Sequence, residues 1–315
     1  MWRWAKRALI GLCGLILVAA LSGAAYQWIA TRHDLAANPA PGRLVDVGGH
    51  RLHIRCTGSG EPTVILENGL GGSSLVAWSL VQPEVSKFTR VCSYDRAGMG
   101  YSDPGPSPRT ARRIAHELAQ LLDRADVRGP LVLVGASIGG LFVRVFASEH
   151  GERVVGLVLV DASHEDQEMD VPRIAPLVPV LASTGVFRLL GVSFGAPLQS
   201  LPPSAQRAAR ATAFRASAYK ATANEGIHLP ESAAEVRASR RKLTIPVVVV
   251  TAGLGADAAW QSLQRDQVGL SEQGCQVIAE QSGHAIALGQ PQAIVEPIRA
   301  IVRAARERKD VPLCR

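Results

Sequence analysis

Gly135-Ala136-Ser137-Ile138-Gly139 is the segment of this chain best suited to covalent chemistry. It follows the apolar run Leu131–Val134 and leads into a helical pattern over Ile138–His150. A serine on a sharp strand-to-helix turn presents its hydroxyl at the tip of a sheet, the setting of a nucleophile elbow. Glycines at 135 and 139 let the strand and the helix approach closely. The chemistry such a serine performs is acyl transfer.

A serine hydroxyl is a weak nucleophile near neutral pH. It needs a general base, usually His, whose tautomer a carboxylate sets. Of the eight histidines, His284 is favoured. It follows the strand-like Gln276–Ala279 through Glu280-Gln281-Ser282-Gly283 and precedes a terminal helix, which puts it at the sheet edge where Ser137 belongs. His33, His50, His53, His116 and His150 read as surface or packing residues. His164, just after a strand, is a candidate for the site lining, and His228 for a substrate contact.

Two aspartates compete for the acid. Asp257 follows the strand-like Pro246–Thr251, one helix and one strand before His284, and is favoured; its other reading is a helix N-cap. Asp161 ends the strand-like Gly156–Val160 and is the alternative acid, its other reading a structural tie at the strand end. Acyl transfer also needs donors for the oxyanion. The backbone N–H of Ile138 is one. The second is assigned to Leu70 in the glycine-rich Glu67-Asn68-Gly69-Leu70-Gly71-Gly72-Ser73-Ser74. A phosphate cradle is disfavoured there, because no Lys-Ser/Thr follows the glycines.

The elements that must position these groups alternate. Short apolar runs at 44–47, 51–56, 64–67, 90–94, 131–134, 156–160, 246–251 and 276–279 read as eight strands. Between them, helical periods cover 110–125, 138–150, 260–270 and 291–308. Continuous apolar strands alternating with helices predict a doubly wound, mostly parallel sheet. The interval from about 164 to 242 is too long for a plain loop and carries helical patterns at 204–219 and 233–241. It reads as a cap over the site. Its apolar residues Leu177, Val178, Val180, Leu181, Phe187, Leu189 and Leu190 suggest a small hydrophobic acyl substrate, and an amphipathic cap lying on the membrane fits that composition equally well.

Ahead of this domain, Arg3, Lys6 and Arg7 precede an uncharged stretch, Ala8–Ala30, about 34 Å long as a helix. That length crosses a bilayer, and the basic flank keeps the N-terminus cytoplasmic. Residues 1–30 are therefore expected to be an uncleaved anchor, 31–43 a linker and 44–315 an extracytoplasmic domain. A cleavable signal peptide, with Ser22-Gly23-Ala24 at the cut, is the rival reading and gives a secreted protein. Net charge is +7, but the arginines are scattered and no nucleic-acid motif is present, so a nucleic-acid partner is not expected. Outside the anchor, which holds Cys13, four cysteines remain and allow three pairings; they suit an oxidising compartment.

The order Ser137…Asp257…His284 resembles the capped serine hydrolases of the α/β-hydrolase fold superfamily. Asp95-Arg96-Ala97-Gly98-Met99-Gly100-Tyr101-Ser102 is similar to the family's loop after strand four, and Ser282-Gly283-His284 to its base loop. Glu67-Asn68-Gly69 departs from the His-Gly many members carry. The resemblance spans about residues 44–308. It implies that the strands bearing Cys56 and Cys92 are neighbours, hence the pairs Cys56–Cys92 and Cys275–Cys314. It also implies ester, lactone or related acyl hydrolysis without a metal or organic cofactor. Serine at 137 sets the chain apart from the epoxide hydrolases and dehalogenases of this fold, which use aspartate. A non-catalytic ligand-binding module and a cofactor-free peroxidase or C–C hydrolase remain the alternatives.

Overall fold

The computed structural model describes residues 2–168, 174–193, 198–307 and 314. Its framework is one sheet of eight strands: β1 (Arg43–Asp46), β2 (Arg51–Thr57), β3 (Thr63–Glu67), β4 (Val91–Asp95), β5 (Leu131–Ala136), β6 (Val154–Val160), β7 (Val247–Ala252) and β8 (Gly274–Ala279). In space the order is β1-β2-β4-β3-β5-β6-β7-β8. The β1/β2 and β2/β4 pairs are antiparallel, and every other pair is parallel. The central strands are buried on both faces, which is why they read as unbroken Val/Leu/Ile runs.

The helices in chain order are α1 (Trp2–Ala37), α2 (Ser74–Ala77), α3 (Gln82–Val85), α4 (Ala111–Arg124), α5 (Gly139–Glu149), α6 (Val178–Ser183), α7 (Val186–Leu189), α8 (Pro203–Thr212), α9 (Ala216–Ile227), α10 (Leu229–Ser239), α11 (Ala258–Val268), α12 (Ile286–Gly289) and α13 (Gln292–Glu307). Two apolar cores result. Ile114, Leu118 and Leu122 of α4 and Phe142 and Phe146 of α5 pack on one sheet face. Ile294, Ile298 and Ile301 of α13 pack with Trp78 on the other. From β3 the chain moves to β4 on one side, whereas from β5 it moves through β6 and β7 to β8 on the other. The crevice beyond the C-terminal ends of β3 and β5 lies where these directions diverge, the usual ligand position in such sheets.

The strand and helix expectations agree with these elements to within a few residues. The cap occupies the insertion between β6 and β7, with one difference from expectation. The pattern at 204–219 is two helices, because the chain breaks at 213–215. There Arg215 turns inward and donates to the carbonyls of Ser102 (3.1 Å) and Gly100. Residues 171–173 and 194–197 of the proline-rich stretch lie outside the described residues. The expected linker is also shorter, since α1 continues through Ala37 before Pro39 ends it. Tertiary contacts explain this: Leu35 packs on the cluster of Leu75, Tyr101 and Ala208, and Asp34 pairs with Arg188 of α7 at 2.6 Å.

Both expected disulfides are present. Cys56 and Cys92 face each other across the antiparallel β2/β4 pair, and Cys275 of β8 holds Cys314, beyond the last helix.

Candidate active site

Ser137 sits between β5 and α5 with φ of 51°, in the left-handed region that a non-glycine residue rarely adopts. Such a conformation costs about 1–3 kcal/mol and persists only when its surroundings enforce it. Here the Ser137 N–H donates to Val160 O (3.1 Å), and its carbonyl accepts from Gly140 N–H (3.0 Å) and Ser163 N–H (2.9 Å). The flanking glycines are sterically required. A Cβ on Gly135 would lie 2.6 Å from Val143 Cγ2, and one on Gly139 would lie 2.5 Å from Asn68 O.

His284 lies in the loop between β8 and α12. Its Nδ1 is 2.6 Å from Asp161 Oδ2. Asp161 is buried at the end of β6, with φ of 40°. Its Oδ1 accepts from Trp260 Nε1–H (2.9 Å) and Ala252 N–H (3.1 Å). Burial alone would raise this carboxyl. Hydrogen bonds from His284, Trp260 and Ala252 outweigh burial and hold it below its ordinary value. The acid beside His284 is thus Asp161, and the preference for Asp257 is corrected. Asp257 is the N-cap of α11, its Oδ1 accepting from Trp260 N–H at 2.7 Å. Its link to the site is indirect: it starts the helix that carries the Trp260 indole to Asp161.

The loop after β3 faces Ser137, and a Cβ on Gly69 would lie 3.2 Å from that of Ser137. Arg96, fully buried, controls this loop. Its guanidinium donates to Asn68 O and Gly69 O (both 2.7 Å), to Glu67 Oε1 (2.6 Å) and to both oxygens of Glu225 on α9 (2.8 Å each). A trans peptide points its N–H opposite its carbonyl. Gripping Gly69 O therefore turns the Leu70 N–H away from Arg96. Across the crevice, Ile138 opens the first turn of α5, where an N–H has no carbonyl partner within the helix. Of the two N–H groups assigned to the oxyanion, that of Ile138 is on the Ser137 turn itself and that of Leu70 is on the loop facing it.

Asp95 braces the same region. Its carboxylate accepts from Ser74 N–H (2.8 Å), Ser74 Oγ (2.9 Å) and Tyr101 N–H (3.0 Å), and it contacts His53 Nδ1 (2.9 Å). Burial opposes its charge, but these partners, His53 foremost, hold it down at about 2.

Ser137 and His284 line one cavity of about 940 Å³, together with Gly69, Leu70, Phe214 and Leu288. His33, Asp34, Ala37 and Asn38 of the N-terminal segment also line it. His33 therefore belongs to the cavity wall and not to a linker. His164 does not reach the site; it is buried against Asp266 (2.8 Å). His228 bonds the carbonyl of Asn224 in its own helix (2.8 Å). The cap residues expected as lining also differ. Leu177, Val180, Leu189 and Leu190 point outward, and Phe187 stacks on Tyr219. Among the described residues no cluster of three or more His, Cys, Asp or Glu side chains is arranged to hold a metal.

Comparison with known proteins fits this architecture. Residues 62–268 match the family described as the alpha/beta hydrolase fold. The 2-hydroxy-6-oxo-2,4-heptadienoate hydrolase of Pseudomonas putida is 34% identical over 128 residues, 40% of this chain and 46% of that protein. An uncharacterized vacuolar membrane protein of Saccharomyces cerevisiae is 30% identical over 134 residues, 37% of this chain and 21% of that protein. The chain thus spans less than half the length of either relative. The enol-lactonase of Burkholderia xenovorans superposes with a TM-score of 0.63 at 21% identity, over 84% of this chain and 100% of that one. The chain belongs to the α/β hydrolase fold family.

Proposed function

We propose that this chain is a membrane-tethered serine hydrolase that cleaves an ester, lactone or related acyl bond. The observation that carries the reading is the 2.6 Å contact of His284 Nδ1 with Asp161, at a cavity that Ser137 also lines. Asp161 accepts the Nδ1 proton of the neutral imidazole, which leaves Nε2 as the base. Nε2 takes the proton of Ser137 as Oγ bonds to the acyl carbon. The oxyanion is received by Leu70 and Ile138 N–H. The imidazolium then protonates the departing oxygen as the acyl–oxygen bond breaks. Water, deprotonated by His284, attacks the acyl-enzyme, and Ser137 recovers its proton as the acid leaves.

The α1 helix supports the tether. Its stretch from Ala8 to Ala30 is uncharged, residues 8–19 of it are all exposed, and Arg3, Lys6 and Arg7 precede it. The positive flank and the two disulfides favour a catalytic domain outside the cytoplasm. Retention of the anchor is favoured by Gly23, which packs against Thr184 of the cap at the rival cleavage site.

A second reading, C–C bond hydrolysis on the same triad, is favoured by the name of the Pseudomonas putida relative. The test is turnover of p-nitrophenyl esters of graded length, lactones and a vinylogous diketone acid by the full chain in detergent. Ester or lactone turnover that is lost in Ser137→Ala supports the first reading. Diketone cleavage without ester turnover selects the second. No turnover of any of them, in protein that retains its fold, rejects both.

A further inference from the structure

The wall of the catalytic cavity includes the end of the membrane helix. That helix reaches the cap before it leaves its apolar stretch. A Cβ built on Gly23 would lie 2.2 Å from Thr184 O, and one on Gly185 would lie 3.2 Å from Gly23 O and 3.4 Å from Tyr26. Four residues on, buried Gln27 contacts the Phe214 carbonyl and accepts from Arg188 Nε at 3.0 Å. Two turns further, Asp34 pairs with Arg188, and then Ala37 and Asn38 line the cavity.

Depth follows from helix geometry. A hydrocarbon core needs about 20 residues. A span starting at Ala8, just past Arg7, ends near Gln27. Gly23 lies about 6 Å below that level at the helical rise. The turn at 184–185, between α6 and α7, is therefore held at the boundary of the outer leaflet. Interfacial amphipathic segments bury their apolar faces about 5–10 Å into this zone. The cap's outward residues suit the position: Leu189 and Leu190 are each 70% exposed, Val180 60% and Leu177 57%. They flank Arg188, the one charged residue of α7, which points back to α1. Trp28, under the Arg32 guanidinium at 4.2 Å, sits where interfacial aromatics collect.

We propose that α6, α7 and the C-terminal turns of α1 form a rim seated in the outer leaflet, through which a single-chain acyl ester passes from the bilayer to Ser137. The substrate class is a membrane-resident, single-chain carboxylic ester with its polar group toward water. The inference rests on the serine-hydrolase reading above. The cavity volume of about 940 Å³ stands at the upper end for small-molecule sites and suits a long acyl chain. Its polar wall at His33 and Asp34 suits a headgroup near the membrane surface.

The test uses the full chain in phosphatidylcholine nanodiscs. Monooleoylglycerol dissolved in the disc is compared with soluble p-nitrophenyl butyrate, for the native protein and for Leu189→Glu combined with Leu190→Glu. Charge on the rim is expected to cut monooleoylglycerol turnover about tenfold or more while butyrate turnover stays within about twofold. Equal turnover of monooleoylglycerol in both proteins overturns the proposal. A parallel drop on both substrates overturns it too. Seating is measured separately: the indole introduced by Leu190→Trp is expected to be quenched by lipids brominated on the acyl chains. A matched control is the same variant in discs without bromine, with Trp2, Trp4 and Trp28, the indoles of α1, replaced by Phe in both. No quenching overturns the proposal. Failure on butyrate together with failure of Ser137 labelling would instead strike the hydrolase reading.

Discussion

Replacing the two aspartates separately gives opposite outcomes that follow from their hydrogen bonds. In Asp161→Asn, the amide oxygen still accepts from Ala252 N–H and Trp260 Nε1–H, so the NH2 group faces His284 Nδ1. An NH2 donor there needs a lone pair on Nδ1. The imidazole proton then moves to Nε2, and the nitrogen facing the serine can no longer act as base. Loss of the correct tautomer costs about 10³–10⁴-fold in kcat. That is about 4–5 kcal/mol of barrier. In Asp257→Asn the cap on Trp260 N–H is kept, since Asn caps as well as Asp. Activity is expected within about twofold and stability within a few tenths of a kcal/mol. Trp260→Phe falls between, because it removes one of three donors to Asp161. A net hydrogen bond of about 0.5–1.5 kcal/mol gives a loss of up to about tenfold. Short-chain ester hydrolysis and urea unfolding read all three variants. An inactive Asp257→Asn beside an active Asp161→Asn would refute the assignment of the acid.

Arg96→Met strands Glu67 and Glu225 in the core. It is expected to cost about 3–5 kcal/mol in urea unfolding and to slow ester turnover, since the Leu70 peptide loses its grip; unchanged turnover in folded protein would remove Arg96 from the positioning of that loop. Asp95 titrates at about 2 in the fold against an ordinary 3.8. A depressed folded value contributes stability above pH ~4 that disappears as pH falls toward 2, about 2 kcal/mol in all. Asp161 and Glu165 shift the same way, so the urea midpoint should fall from pH 4 to pH 2, and a level midpoint would contradict these pairings. Reducing Cys275–Cys314, which closes a separation of 39 residues, should cost about 4 kcal/mol by loop entropy, read as a lower urea midpoint in dithiothreitol than in Cys56→Ser/Cys92→Ser protein left oxidised.

The fold was legible because buried parallel strands are unbroken apolar runs, as in Val247–Val250, and each is followed by a helix with one apolar face, as in α4. Ser137 and His284 were legible because turn chemistry and element order mark them. The acid was harder. Asp257 and Asp161 both follow strands, and a lone Asp before Ala258-Ala259-Trp260 is as good a cap as a catalytic group. The discriminating signal was position: Asp161 directly abuts Val160, whereas residues 253–256 separate Asp257 from the end of β7. The contact between α1 and the cap could not be read locally. It depends on Arg188 meeting Gln27 and Asp34 across more than 150 positions, and the apolar residues around Arg188 fit a cavity wall or a lipid-facing rim equally well until their direction is known. The same holds for Arg96, whose partners lie on two segments far apart in the chain, 67–69 and Glu225.

The central claim is that the Ser137 hydroxyl is an activated nucleophile. Incubation of the folded full chain with a fluorophosphonate, followed by peptide mass mapping, tests it most directly. The account predicts one adduct, on Ser137, formed orders of magnitude more slowly when His284 is replaced by Gln. An unlabelled Ser137, or labelling indifferent to His284, would contradict it.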